Sequence, residues 1–116
     1  MAIWYKQLYM GQKAANMYEK IHKSVEEGKY LPGIYLITIA ENPADQLEIY
    51  NSISLYMPAL KRRLMPIVGA ACGYKEAISL FQTMAEDVYQ KTGGFMLRKY
   101  FEEQIELQQQ IEAEQI

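Results

Sequence analysis

The sequence contains a single cysteine and a single histidine, and this scarcity argues against several classes of site. One thiol, Cys72, cannot form an internal disulfide, so we expect a reducing, cytoplasmic setting. A zinc centre needs about four histidine or cysteine ligands in its structural form, more than the chain has. A nucleophilic dyad or triad would have to use His22, but a histidine half-packed on its own helix is the commoner case. We therefore expect no metal and no cofactor.

The chain also lacks a surplus of charge and a long apolar run. Its formal net charge is −2, whereas nucleic-acid binders normally have a basic surplus, so we expect no nucleic-acid partner. The longest stretch without a charged residue, 49–60, is far shorter than the roughly 20 apolar residues of a membrane span. The first residues lack the basic and apolar regions of a signal peptide. We expect a cytoplasmic protein without membrane contact.

What the chain does contain is the material for one globular domain. Its 116 residues match the size of an ordinary domain, and 50% of them are apolar on a wide definition. A chain of this length buries enough surface to fold without disulfides or metals. We expect one α/β domain over residues 1–116, with the polar segment 106–116 as a frayed tail.

Two segments predict strands, and a third is a candidate. Residues 34–39 are rich in β-branched and aromatic side chains and are apolar on both faces, which is typical of a strand covered on both sides in a parallel sheet. Residues 64–71 form the second, with Pro66 near its start. Residues 4–10 are either a third strand or the first turns of a helix expected over 12–27. We favour the strand, because Gly11 would then separate the two elements.

Helical spacing predicts a helix after each of the two main strands. Asn42-Pro43 is typical of a helix start, and apolar residues recur at spacings of three and four until Pro58. The apolar face would hold Leu47, Tyr50, Ile53 and Met57. A longer helix is expected between Gly73 and Gly93, which suits a left-handed C-cap. Its buried face would hold Ala77, Phe81, Met84 and Val88. A last helix is expected after Gly94.

Together these elements predict an α/β fold with a βαβα core. The segment between the two main strands is long enough for a helical crossover, so we expect the strands to be parallel and their connection right-handed. The result is a small parallel sheet of two to three strands, flanked by N- and C-terminal helices. A helix over each edge would cover so thin a sheet. We favour the alternative, a homodimer that joins two sheets or packs exposed helix faces together.

A ligand, if there is one, is expected at the carboxyl ends of the two strands. Open α/β sheets bind ligands there, and helix N-termini attract anions. The pocket would combine the junctions at 39–43 and 70–74. Its candidate residues are Thr38, Glu41, Asn42, Cys72, Gly73 and Tyr74. No phosphate-binding fingerprint supports it, because Gly69 and Gly73 are three residues apart and no hydroxyl follows Lys75.

Two of these residues also have structural explanations. Asn42 suits a helix cap and Gly73 a turn, so neither indicates a ligand by itself. Cys72 precedes a predicted helix start, where a thiol can be activated, but a buried, inert cysteine is the commoner case.

Four segments resemble a group of short, uncharacterised bacterial proteins of about this length. They are residues 30–43 (YLPGIYLITIAENP), 47–52 (LEIYNS), 68–77 (VGAACGYKEA) and 88–95 (VYQKTGGF). The resemblance covers most of the chain up to about Phe101. It implies a bacterial protein and no particular activity, cofactor or site residue.

The sequence therefore favours a non-enzymatic interaction or accessory module that acts as a homodimer. The chain has ten tyrosines, whose apolar rings and polar tips suit protein interfaces. The alternative is a small-molecule or anion-binding regulatory domain that uses the junctions at 39–43 and 70–74. A thiol enzyme centred on Cys72 is a third interpretation.

Overall fold

The computed structural model describes residues 2–57, 59 and 63–115 and confirms a mixed α/β fold. In chain order the elements are β1 Trp4–Met10, α1 Gln12–Ala15, α2 Tyr18–Glu27, β2 Ile34–Ile39, β3 Leu47–Asn51, a 3-10 turn Ser52–Leu55, β4 Ile67–Cys72, α3 Tyr74–Thr92 and α4 Leu97–Glu114. The strands form one sheet in the order β1-β4-β2-β3. β1 and β4 are parallel, whereas β2 runs antiparallel to both β4 and β3.

The expectation of a small parallel sheet is wrong for its central pair. β2 and β4 lie side by side in opposite directions, with Ile34 opposite Cys72. Between them the described residues form a strand and a 3-10 turn rather than a helical crossover. The chain turns back directly after β2 into β3, and the two pair from Tyr35↔Asn51 to Ile39↔Leu47. The sheet thus has four strands and is mostly antiparallel.

The helix expected after Asn42-Pro43 is therefore wrong in the described residues, while Pro58 lies outside them. Asn42 begins a turn instead, because its side-chain oxygen accepts a hydrogen bond from the backbone N–H of Ala44 at 3.0 Å. The apolar residues of β3 fit an alternating pattern as well as a helical one. Pairing with β2 decides between the patterns, since the central strand β2 is apolar on both faces and takes β4 on one side and β3 on the other.

The other elements agree more closely with the sequence. The strand over 4–10 is confirmed, and the expected helix over 12–27 is divided into α1 and α2. α3 begins after Gly73 and ends at Gly93, whose φ of 79° is the left-handed conformation expected of the cap. α4 is helical to Glu114, and the fraying of its last turns stays a prediction.

Helices cover both faces of the sheet. One core lies between the sheet and the helices α3 and α4, where Phe101 makes edge-to-face contacts with three tyrosine rings. Its largest buried side chains include Ile37, Val68, Met84 and Val88. The other core lies on the opposite face, towards α1 and α2. It is built around Ile21, Ile34, Leu36 and Ile67. Each of these side chains stabilises the fold by about 1.5–3 kcal/mol through burial.

Candidate functional site

The six residues predicted to line one pocket do not meet in the structure. Because β2 and β4 are antiparallel, their carboxyl ends lie at opposite ends of the sheet. Thr38, Glu41 and Asn42 are at one end. Cys72, Gly73 and Tyr74 are at the other. A pocket shared by the two junctions is therefore not formed, and ligand binding at one junction alone stays a prediction.

An arginine of α4 organises the junction at 39–43. The Nη1 atom of Arg98 donates hydrogen bonds to the backbone oxygens of Ala40, Asn42 and Asp45 at 3.0–3.1 Å. Its Nε atom donates to Glu102 at 2.9 Å. The loop between β2 and β3 is thus held by a side chain of the same chain, which satisfies carbonyl groups that a loop otherwise leaves to water.

Thr38 belongs to the interior rather than to a binding surface. It is 1% exposed and lies beside Tyr50 of β3. Burial raises the pKa of the Tyr50 hydroxyl to about 12, although a hydrogen bond with Thr38 acts in the opposite direction. The Tyr50 hydroxyl is therefore neutral near physiological pH. Glu41 is exposed on the loop.

The parallel strands β1 and β4 do bring two strand-to-helix junctions together, and a carboxylate of the chain lies between them. Glu76, in the first turn of α3, accepts hydrogen bonds from the backbone N–H groups of Lys13, Ala14 and Cys72 at 2.9–3.1 Å. Partial burial raises the pKa of Glu76, but these three hydrogen bonds and the charge of Lys13 outweigh it, so the pKa is lowered. The place that suits an anion is occupied by Glu76.

Gly11 permits this contact. A Cβ atom at position 11 would overlap the carboxyl group of Glu76, so a larger residue there would displace the link between the junctions. Glu76 is not among the site residues predicted from the sequence. The available signal was its position, three residues after the helix-capping Gly73, where a glutamate commonly bonds back to a free N–H group.

The two residues considered for nucleophilic chemistry have structural surroundings. Cys72 is half-buried and packs against the core on the α1–α2 side. The ring of His22 stacks on Trp4, with centroids 4.6 Å apart. Within the described ranges, no cluster of three or more histidine, cysteine, aspartate or glutamate residues is arranged to hold a metal ion.

The hydrogen-bond pattern of β2 shows how β3 is oriented. The N–H of Ile39 donates to the oxygen of Pro66, on the β4 side, whereas the N–H of Ala40 donates to Gln46, on the β3 side. Successive residues of a strand direct their backbone groups to opposite sides. The even-numbered residues of β2 are therefore the ones that bond to β3.

This pattern leaves β3 as an open edge of the sheet. Thr38 is paired with Glu48, so the backbone groups of Glu48 point towards β2. Those of its neighbours Leu47 and Ile49 point away from the sheet, and no residue in the described part of the chain pairs with them. An exposed strand edge of this kind is a template for pairing with another strand.

α3 has a second apolar face beside its buried one. At spacings of four, three, four and four residues it carries Tyr74, Ile78, Phe81, Ala85 and Tyr89, which we call the α3 flank. Tyr74 is 58% exposed and Tyr89 is 50% exposed. Ile78, Phe81 and Ala85 are half-buried. A charge-free helical face with exposed rings at both ends is typical of a helix that contacts another protein.

The α3 flank and the β3 edge lie on the same face of the sheet. The ring of Tyr74 contacts Tyr35 of β2 at 5.6 Å between centroids. Phe81 packs against the same core as Leu47 and Ile49. We call this the β3–α3 surface. It comprises Leu47, Ile49, Tyr74, Ile78, Phe81, Ala85 and Tyr89.

The surface continues beyond the end of α3. The ring of Tyr89 stacks on Phe95, with centroids 4.8 Å apart. Phe95 and the following Met96 are about 60% exposed. Aromatic residues and methionine are enriched in protein interfaces.

Phe81, predicted for the buried face of α3, is half-buried beside that face, and Leu80 is buried in its place. Two apolar stripes run along this helix, and their spacing alone does not show which one faces the sheet. The apolar spacing of the α3 flank can therefore be seen in the sequence, but the sequence does not show that this stripe, rather than the other, lies at the surface.

Comparisons with known proteins give no relative: no family model, no curated protein and no solved structure matches the chain. In the part of the chain that the structure describes, no helix combines the length and the apolar character needed to cross a bilayer.

Proposed function

We propose that this protein is a non-enzymatic interaction module that assembles as a homodimer through the β3–α3 surface. The observation that carries the proposal is the coincidence of an open strand edge with an apolar helix flank. Folded domains usually protect strand edges, and monomers rarely expose a large contiguous apolar patch. No strand in the described ranges pairs with the open edge, and we propose that a second copy of this chain covers both features.

The open edge is suited to its own copy. Two β3 strands related by a two-fold axis run antiparallel, so the outward N–H and C=O groups of Leu47 and Ile49 would meet the same groups of the partner. Such pairing would join two four-stranded sheets into one. It requires no rearrangement of the β2–β3 ladder.

The charges beside the α3 flank are also self-complementary. Lys75 borders the flank near its beginning and Glu86 borders it near its end, on the same solvent-facing side and about three helical turns apart. A two-fold axis near Phe81 would place each Lys75 near the Glu86 of the other copy. The same axis would bring Tyr74 close to the partner's Tyr89. Opposite charges placed in this way favour one register over others.

The anion-binding alternative has no comparable support. Its two junctions lie at opposite ends of the β2–β4 pair, and Glu76 fills the space between the two junctions that do lie together. We therefore propose one function.

Light scattering at micromolar concentration tests the dimer. We expect a particle of twice the 13.5 kDa chain mass. The double substitution Tyr74→Lys and Tyr89→Lys should raise the dimer Kd by roughly 30-fold or more, because loss of an interface hot spot costs about 2 kcal/mol. The control is Tyr18→Lys, which changes a tyrosine of α2 that is 46% exposed. It should leave the dimer intact.

A second variant tests the strand edge. Ile49→Pro removes an N–H group that points away from β2, so it should abolish dimerisation while the β2–β3 ladder remains, as circular dichroism would show. A monomeric wild-type protein at high concentration would contradict the proposal. A dimer that persists in both interface variants would place the contact elsewhere.

A further inference from the structure

The second edge of the sheet, β1, is closed by a side chain of α4. The N–H of Lys6 donates to Oε1 of Gln108 at 2.7 Å. In return, Nε2 of Gln108 donates to the backbone oxygen of Trp4 at 2.9 Å. One accepted and one donated hydrogen bond are what a residue of a neighbouring strand would supply. The carboxamide thus takes the place of a strand.

β1 is irregular at the point where Gln108 binds. Between the pairs Trp4↔Ile67 and Tyr9↔Gly69 the chain advances five residues along β1 but two along β4. The extra residues form a bulge between Trp4 and Tyr9, the stretch of β1 that contains Lys6. Bulges and covering helices are two known ways to stop an edge from pairing with other chains.

Other residues of β1 and α4 also lie close together beside this hydrogen-bonded pair. A groove of about 200 Å³ lies between β1 and α4. Its lining residues are Tyr5, Lys6, Gln7, Gln104, Leu107, Gln108 and Ile111. Lys6 also forms an exposed ion pair with Glu112 at 3.3 Å, which contributes little to stability. Gln108 is the group that satisfies the backbone of the strand.

We propose that Gln108 closes the β1 edge against β3 of another copy, so that assembly ends at two chains. If β1 were open, the β3 edge of one copy would add to the β1 edge of the next. Such head-to-tail contacts continue into fibres unless the rotation between copies closes a ring, whereas β3–β3 pairing closes after two copies. The limit of two rests on the proposed dimer, but the closure of β1 by Gln108 does not.

The test is Gln108→Leu, which keeps the bulk of the side chain and removes both hydrogen bonds. We expect light scattering to show species larger than a dimer that grow with concentration. Hydrogen exchange measured by NMR should show the Lys6 amide exchanging roughly fivefold faster in dilute samples, the factor that a hydrogen bond of typical net strength provides. The control is Gln104→Leu, one helical turn earlier in the same groove. It should behave as the wild type.

The outcomes separate this inference from the dimer. If the wild type is a monomer but Gln108→Leu self-associates, the proposed dimer fails and the closure of β1 stands. If Gln108→Leu has the wild-type mass at high concentration and an unchanged Lys6 exchange rate, the closure is overturned. If Gln108→Leu does not fold, the wild-type Lys6 amide decides: exchange as fast as in a free strand edge overturns the inference, and protection supports it.

Discussion

At the scale of single residues, Glu76 and Arg98 hold loops by bonding to backbone groups. Glu76 accepts hydrogen bonds from three backbone N–H groups at two strand-to-helix junctions. Arg98 donates hydrogen bonds to three carbonyl oxygens of the β2–β3 loop. Helix starts and loops leave such groups unpaired. Each side chain therefore fastens segments that are distant in sequence, and its loss should loosen them together.

Substitution of Glu76 by glutamine tests the first contact. We expect Glu76→Gln to lower the free energy of unfolding by about 1–2 kcal/mol in urea titrations at neutral pH, as for the loss of a helix cap. The control is Glu103→Gln, an exposed glutamate of α4, which should have little effect.

The pH dependence of this difference follows from the pKa of Glu76, which is lowered in the folded protein. A carboxyl group with a lowered folded pKa contributes its stability above its unfolded pKa, about 4.3. That contribution is lost as the pH falls through the folded value. The gap between wild type and Glu76→Gln should therefore narrow below about pH 4. A gap that stays constant into acid would contradict the role of the charge.

Substitution of Arg98 by lysine tests the second contact. Lysine keeps the charge, but its single terminal nitrogen cannot bond to the carbonyls in the place of Nη1 and to Glu102 in the place of Nε at the same time. We expect Arg98→Lys to lower the free energy of unfolding by about 1–2 kcal/mol and to speed amide exchange in the loop 40–46. The neighbouring exposed Lys99, substituted by alanine, is the control. Equal stability of Arg98→Lys and the wild type would show that charge alone holds the loop.

At the scale of elements, a helix or strand could be predicted from the local sequence where only one spacing of apolar residues was present. β2 was recognisable from apolar side chains on both faces, and α3 from the glycines 73 and 93 at its ends. β3 was missed because Leu47, Tyr50 and Ile53 fit a helical spacing while the same segment also alternates. Pairing with β2 decides the matter, and no short window of sequence contains that partner.

The predicted strand direction and the predicted pocket shared by two junctions were wrong for the same reason. Whether β2 and β4 are parallel depends on what connects them, so mistaking β3 for a helix reversed the predicted direction and assembled a false pocket. Gln108 contacts a strand more than 100 residues away in sequence. A partner at that separation has no local signal. The α3 flank did have one, but the sheet alone determines which of the two apolar stripes is buried.

At the scale of the whole molecule, the two edges of the sheet differ in whether their outer backbone groups are hydrogen-bonded. β1 is bulged and closed by α4, whereas β3 is regularly paired with β2 on one side only. The apolar flank of α3 packs against the same core as the side chains of β3. One open edge and one closed edge are the requirements for a closed two-fold dimer rather than a fibre. This asymmetry is the basis of the proposed function.

Amide exchange at Ile49, followed by NMR as the protein is diluted, tests the dimer most directly. The Ile49 N–H points away from β2, and no strand in the described residues lies on that side of β3, so we expect a partner strand to protect it. We predict slow exchange in concentrated samples and fast exchange on dilution below the dimer Kd, while the Glu48 amide, which points towards β2, stays protected throughout. Fast exchange at Ile49 at every concentration would contradict pairing through β3.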